Sequence, residues 1–557
     1  MSSLGVILAI ISPISYVTAA PTKGSANTSF PIVDLGTSLI RATLNSSGPH
    51  PYFNFSNIRY AQPPIGNLRF AAPLAPTVRN PTINDGQKGV ICPQANPGWF
   101  ADSKIWLATQ NISALPTAPF NVSDIPTPDP RTSEDCLFLD VVVPESIFTK
   151  KSSPAPVLVW LYGGGYVSGD KTSSGSPATL ISRSFDNGNK GLVFVAINYR
   201  LGMFGWLSGD SSVTSNAGLL DQKLAFEWVQ QNIHLFGGDP DRVTVMGESA
   251  GGGSIMHHIT AYSDGEKAPF HQAILQSPAF QPTLPSQEKE IFEMVLANAS
   301  TISNTSIASL QDLKNLSSDT LQEINALIVG TSPYGGFTFG PVIDSTYVRS
   351  LPGVSLLEGH FDSSVKVMVG HNSEEGELFT SPFIQTQEEY VAAIQQIFPT
   401  ASEAVISYVT ETLYPPTFDG SYGYLNQIER TALTVSDITI TCNTRYLDVA
   451  FKNETYSYIF SVPNGLHGED VAYTFFNGDI STGDEGPPVI ATLAGIFQDY
   501  LTGFAVKGTP NANGLPWFPM YGENETVKNV EYSDLNVVEV DPMANARCAY
   551  WQSAAYA

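Results

Sequence analysis

Basic residues are scarce in this chain: 27 Lys and Arg stand against 52 Asp and Glu, a formal charge of -25 at pH 7. That balance excludes nucleic acid and anionic membrane surfaces as natural partners, because both are held by basic patches, and it favours solubility. Long apolar runs are missing as well. Beyond the N-terminus there is no stretch of 18 or more apolar residues and no hydrophobic tail for a lipid anchor, so no stable membrane anchor is expected. Charged residues make up only 14% of the 557, yet 42% are hydrophobic, which excludes a disordered chain, and 46 Gly and 40 Pro point to a globular, loop-rich one. Neither an internal repeat nor a linker between units is found. Residues 21-557 are therefore expected to form one large domain, although the length exceeds the usual size of about 100 to 200 residues per domain.

Cysteine is rare too: Cys92, Cys136, Cys442 and Cys548. None has the close Cys/His spacing of a zinc site, and no metal role is expected. The N-terminus supplies a context for them. Leu4 to Val17 is mostly apolar and is followed by the small residues Thr18-Ala19-Ala20, so residues 1-20 read as a signal peptide, although no basic residue precedes the apolar run. A secreted, extracellular, soluble protein follows. Asn27, Asn45, Asn54, Asn111, Asn121, Asn298, Asn304, Asn315, Asn453 and Asn524 each open an Asn-x-Ser/Thr without proline, a density that suits a glycoprotein. In a secreted chain an even cysteine count suggests disulfides, and four cysteines allow three pairings. Pairing neighbours, Cys92 with Cys136 and Cys442 with Cys548, is preferred. By the loop-entropy model such closures contribute about 4 and about 5 kcal/mol.

The chemistry centres on Gly247-Glu248-Ser249-Ala250-Gly251. An apolar run, Val243 to Met246, precedes it and a small-residue segment able to start a helix follows. A strand, a sharp turn and a helix give a Gly-x-Ser-x-Gly match its meaning, because the strained turn pushes the serine hydroxyl outward as a nucleophile. A serine hydroxyl needs a base beside it, usually a histidine oriented by a carboxylate. His257 and His258 lie too close behind Ser249 on the following helix and read as packed or surface residues. His467 follows the strand-like Tyr456 to Val462 in a loop, and is the expected base. Val365 to Gly370 reads as a buried strand leading to Asn372-Ser373-Glu374-Glu375-Gly376, with Glu375 the expected acid and Glu374 its alternative. Gly163-Gly164-Gly165 directly follows another buried strand, Pro156 to Tyr162, and its backbone N–H groups suit an oxyanion site.

Around these motifs the chain alternates strands and helices, the rhythm of a mainly parallel sheet. Phe30 to Ala42 and Tyr52 to Tyr60 read as short antiparallel strands. Leu192 to Tyr199 and Gln272 to Gln276 read as buried ones. Ala217 to Ile233 reads as an amphipathic helix with Leu220, Leu224 and Trp228 on its buried stripe. The region from about 282 to 335 reads as peripheral helices and loops. Trp99, Phe100, Ile105, Trp106 and Leu107 form an apolar cluster between Cys92 and Cys136, either a lid over a site or a patch packed onto the body.

Several stretches together resemble the type-B carboxylesterase/lipase family, which contains the cholinesterases and secreted fungal lipases. They are Glu134 to Asp140, Gly163 to Tyr166, Asn198 to Gly202, Asn216 through Asp239-Pro240 to Gly251, Asn372 to Gly376, and His467-Gly468. The resemblance runs from about residue 30 to the C-terminus. It implies an α/β-hydrolase fold, with a large, mostly parallel central sheet flanked by helices and a disulfide-closed flap at Cys92 to Cys136. It further implies a triad of Ser249, Glu375 and His467, and oxyanion donors from the N–H groups of Gly164, Gly165 and Ala250. The reaction implied is ester hydrolysis through an acyl-enzyme on a small-molecule or lipid ester, with no metal or organic cofactor. Gln276-Ser277-Pro278 departs from the family's more usual glycine at its third position. Lipase activity on long acyl chains and a non-catalytic binding role on the same scaffold are the alternatives. A cholinesterase-like activity would require an aromatic box, to which Trp99 or Trp106 could contribute. Nothing in the sequence bears on oligomeric state.

Overall fold

A computed structural model of the chain describes residues 30–116, 118–150, 153–263, 265–482 and 486–556. The expected signal peptide at 1-20 and the sequon at Asn27 lie outside the described residues. Strands β1 (Ile32–Asp34), β2 (Ser38–Arg41), β3 (Thr43–Asn45), β4 (Tyr52–Arg59) and β5 (Asn80–Asn84) open the chain. Next come β6 (Phe138–Pro144), β7 (Ala155–Leu161), β8 (Val193–Ile197), β9 (Gly238–Glu248) and β10 (Gln272–Gln276). Strands β11 (Lys366–Asn372), β12 (Tyr456–Phe460), β13 (Thr526–Val530) and β14 (Val538–Val540) complete them.

β1, β2 and β5 form a small sheet of their own. Phe30 to Ala42 holds two antiparallel strands, the β1–β2 hairpin, and Tyr52–Arg59 is an antiparallel strand of the main sheet, between β3 and β6. That sheet has 11 strands in the order β14-β13-β12-β11-β10-β9-β7-β8-β6-β4-β3. From β13 to β8 every neighbouring pair is parallel, and the flanking pairs at both edges are antiparallel. The central strands are continuous apolar runs because helices cover both faces. In β7, Val157, Val159 and Leu161 join one buried cluster while Leu158 and Trp160 join the other, and β8 and β10 alternate in the same way.

Two sequence expectations shift. Helix Ala217–Asn232 does not bury Leu220 and Leu224, which are only half-covered; its inner face carries Leu219, Gln222, Phe226 and Val229. Buried polar residues explain the difference. Asp221 is held by the guanidinium of Arg200 through two bonds of 2.7 Å, and Gln222 bonds Ser254 and His258, so polar side chains occupy positions where an apolar stripe was sought. The region from 282 to 335, expected at the periphery, holds helices Pro285–Ser303, Leu310–Lys314 and Ser318–Gly330, and parts of it wall the main cavity. Cys92 is joined to Cys136 and Cys442 to Cys548, with Cα atoms 5.0 and 5.1 Å apart. The first bond closes a flap containing helix Trp99–Thr109, and the second ties helix Cys442–Ala450 to helix Ala546–Gln552. Among the described residues no helix is long and apolar enough to cross a membrane.

Candidate active site

Strand β9 ends at Glu248 and helix Ala250–Ala261 begins two residues later, leaving Ser249 alone on the turn with φ 55° and ψ -122°. A non-glycine residue in that region is strained and persists only where its surroundings fix it. Here the Ser249 N–H donates to the Gln276 carbonyl at 3.0 Å, and its own carbonyl accepts from Ala279 N–H at 3.0 Å. The turn also needs glycine at 251, since a Cβ there would lie 2.2 Å from the Leu161 carbonyl oxygen.

Loops after the next strands bring the partners in. His467 follows β12, and its Nε2 lies 2.8 Å from Ser249 Oγ. Glu375 follows β11, and its Oε2 lies 2.5 Å from His467 Nδ1. Glu374, the alternative acid, is exposed and makes no such bond; its N–H donates to the Gly465 carbonyl, fastening the two loops together. His257 and His258 are both buried in helix Ala250–Ala261, and burial pulls each down to about 3.

Residues to which the sequence assigned no catalytic role complete the surroundings. Ser277 donates its hydroxyl to Glu375 Oε1 at 2.5 Å, and the Asn372 N–H donates to the same oxygen at 2.7 Å. Glu248, buried beside Ser249, has Oε1 3.4 Å from His467 Nε2. Asp470, also buried, accepts from Gln276 and Tyr458. Ser277 sits in the Gln276-Ser277-Pro278 stretch and Glu248 inside the serine motif, so position was legible for both, though not the contacts. Burial alone would lower the His467 imidazole, but the Glu375 and Glu248 carboxylates outweigh it and raise it to about 9. For Glu375 burial pushes upward, yet the His467 imidazole and the Ser277 hydroxyl hold the carboxyl below its ordinary value. Burial pushes Glu248 up to about 8, against the pull of His467.

Gly164 and Gly165 turn back at φ 105° and 61°, and the Gly164 carbonyl accepts from Val167 and Ser168. A Cβ on Gly165 would fall 2.2 Å from the Phe337 ring. Among the described residues, none of the N–H groups of Gly164, Gly165 and Ala250 donates to a loop or cap carbonyl. Gly165 and Ala250 line a cavity of about 820 Å³ together with Ser249. Acyl transfer requires such free N–H groups beside the nucleophile. The flap aromatics do not line this cavity. Trp99 is buried behind it, against Tyr334, Phe337 and Phe379. One group of metal-like spacing occurs among the described residues, Asp437 with Cys442 and Cys548, and its two sulfurs are spent in a disulfide.

A family model described as the Carboxylesterase family matches residues 30–551. The chain is 38% identical to Carboxylesterase patB of Aspergillus clavatus, over 97% of this chain and 98% of that one. It is also 38% identical to Carboxylesterase patB of Penicillium expansum, over 94% and 95% respectively. Among solved structures, Aspergillus niger EstA matches with a TM-score of 0.76 at 24% identity, covering 95% of this chain and 99% of that one. The last likeness speaks for the fold alone, and the fold is the expected α/β-hydrolase.

Proposed function

The chain belongs to the carboxylesterase family and is a carboxylic ester hydrolase, and from that premise we propose that it works by two-step acyl transfer on Ser249. The observation that carries the reading is the unbroken line of bonds from Ser249 Oγ through His467 to Glu375, 2.8 and 2.5 Å long. His467 Nε2 takes the Ser249 proton as Oγ attacks the ester carbonyl. The negative charge that develops on the carbonyl oxygen is met by the N–H groups of Gly164, Gly165 and Ala250. Glu375 orients the imidazole and stabilises its charged form, and Ser277 and Asn372 hold Glu375 in turn. Collapse breaks the ester bond, and the alcohol leaves with the proton from His467. Water, deprotonated by His467, then attacks the acyl-enzyme and releases the acid and the free serine. A protein kept only for binding has no use for this aligned set.

Hydrolysis of p-nitrophenyl butyrate and p-nitrophenyl palmitate by the wild type and by Ser249→Ala tests the reading. Loss of the nucleophile in such a set costs about a millionfold in kcat, so the variant should be silent on both esters. Equal rates in the two proteins would refute the role of Ser249. The ratio of the wild-type rates decides between a short-chain esterase and a lipase.

The same proposal includes secretion after removal of residues 1-20, with 21-557 as one domain carrying N-linked glycans. Exposure of Asn111, Asn121, Asn304, Asn315 and Asn524 supports occupancy at those five sequons. N-terminal sequencing and the mass change on enzymatic deglycosylation check it.

A further inference from the structure

We propose that the last helix of the chain, Ala546–Gln552, sets the shape of the cavity beside Ser249. Asp437, Tyr414 and Arg547 are then positioning residues for esters large enough to meet the wall that this helix supports. The proposal rests on the ester-hydrolase reading above. One wall is a long helical stretch in which Gln427–Ser436 and Cys442–Ala450 are joined by a π-helical turn, Asp437–Thr441. Thr431, Val435 and Thr439 line the cavity at steps of four, as one face of an α-helix does, and Ile440 joins them. A π-turn is rare, spaces its bonded residues five apart, and is found mostly as a single turn at functional sites. Here that spacing sets Ile440 under Val435, where Thr439 alone would stand in a regular helix.

The end of the chain grips this turn from behind. Asp437, buried at its start, accepts from Arg547 Nε at 2.6 Å and from the Tyr414 hydroxyl at 2.7 Å. The Trp551 indole N–H donates to the same hydroxyl at 2.9 Å. Arg547 and Trp551 lie on helix Ala546–Gln552, whose Cys548 is bonded to Cys442, the residue directly after the turn. The neighbouring wall is braced by the same helix. Trp551 stacks on Phe398 at 5.6 Å, at the end of helix Gln387–Ile397, which lines the cavity with Ala393 and Ile397. On the inner side the Thr439 carbonyl accepts from the N–H of Phe280, another lining residue, at 3.3 Å. Behind Phe280 a void of about 20 Å³ is bounded by Ile438 and Trp551. Loosening the grip on Asp437 therefore leaves the turn room to shift, and the cavity face with it. The triad stands on the loops after β9, β11 and β12, so a short ester reports on it separately.

Hydrolysis of ethyl acetate, ethyl octanoate and octyl acetate, followed by titration of the released acid, tests this. The first ester needs little beyond the triad, and the others carry a long chain on the acyl or the alcohol side. Arg547→Gln leaves the buried Asp437 carboxylate without its cation. Because small misplacements cost up to about a hundredfold in rate, kcat/KM on at least one long ester should fall about tenfold or more relative to ethyl acetate. Tyr414→Phe keeps the ring and loses only the bridging hydroxyl, so a relative fall of about threefold, the worth of one hydrogen bond, is expected. This milder variant gives the answer where Arg547→Gln does not fold. Variants that keep the wild-type ratios of long to short esters, whatever their melting temperatures, would overturn the proposal and leave the hydrolase reading intact, since a merely structural brace does not move those ratios. If none of the three esters is cleaved faster by wild type than by Ser249→Ala, the hydrolase reading fails and takes the proposal with it.

Discussion

Trp99 donates its indole N–H to the main-chain carbonyl of Gly336 at 2.7 Å, across 237 residues of sequence. The bond seats the flap helix on the cavity wall, beside two others: Gly98 N–H to the Gly330 carbonyl at 3.0 Å, and the Ser103 hydroxyl to the Leu378 carbonyl at 2.5 Å. Through its ring Trp99 also meets Phe337 and Phe379, at centroid distances of 5.5 and 6.0 Å. Phe337 stands over Gly165 in the Gly163-Gly164-Gly165 loop, and Phe379 sits edge-on to His467 at 4.9 Å. One flap residue thus braces the walls beside both halves of the catalytic apparatus.

Trp99→Ala should therefore cost activity as well as stability. Small misplacements of reacting groups cost up to about a hundredfold in rate, and a fall of about tenfold or more in kcat/KM is expected. Removal of a buried Trp costs about 3 to 5 kcal/mol. Trp99→Phe keeps a ring but loses the bond to Gly336, and should fall between the two. Steady-state kinetics with thermal unfolding check this, and unchanged kinetics in a destabilised Trp99→Ala protein would mean that the flap is a passive cover.

The pH profile isolates Glu248. His467 must be neutral to take the serine proton, and carboxylates beside it hold it protonated up to about 9 despite its burial. Activity at neutral pH is accordingly limited by the protonated fraction, and kcat/KM should climb as pH rises toward that value. Glu248→Gln removes one of the two carboxylates and should move the ascending limb to lower pH, with Glu375 left to orient the ring. A limb that stays in place would show that Glu248 does not set the imidazole's proton affinity.

What could be read from the sequence follows from how local each cause is. The Ser249 turn and the strands feeding it were legible because a Gly-x-Ser-x-Gly after a buried run constrains its own backbone. The continuous apolar character of β7 and β8 similarly records burial on both faces. Helix Ala217–Asn232 misled because its inner positions Asp221 and Gln222 are satisfied by Arg200, Ser254 and His258, partners that no local pattern reveals. The cavity wall was hidden for a related reason. Its threonines turn their hydroxyls to their own backbone, a bond that residue type alone does not reveal. Trp99 announced an apolar cluster but not its direction, which depends on a carbonyl more than two hundred residues away.

Asp448 makes the protein's stability depend on pH. Burial pushes its carboxyl up to about 8, even though the Thr455 and Ser457 hydroxyls donate to it at 2.5 and 2.9 Å. In the unfolded chain it would ionise near the ordinary Asp value of about 4. Between about pH 4 and pH 8 the folded state therefore binds more protons at this site, and its stability falls as pH rises. Asp448→Asn should flatten that decline in melting temperature across the same window. A decline of unchanged slope would place its origin in other groups.

Closure of the flap can be separated from the role of Trp99 by a double-variant comparison. Replacing Cys92 and Cys136 together with serine releases a loop whose ends are 44 residues apart, and the loop-entropy model puts the loss of stability at about 4 kcal/mol. If the disulfide serves only the unfolded chain, melting temperature should fall with kcat/KM unchanged. The bonds from Gly98, Trp99 and Ser103 imply more, because all three originate within the loop that the disulfide closes. Opening the loop lets the helix lift, and the braces on Phe337 and Phe379 loosen with it. The cysteine pair variant should then lose kcat/KM as well, and adding Trp99→Ala to it should cost much less than Trp99→Ala costs in the wild type, since sites that act through one contact are not additive. Additive losses in kcat/KM would show that the disulfide and the indole reach the active site by separate routes.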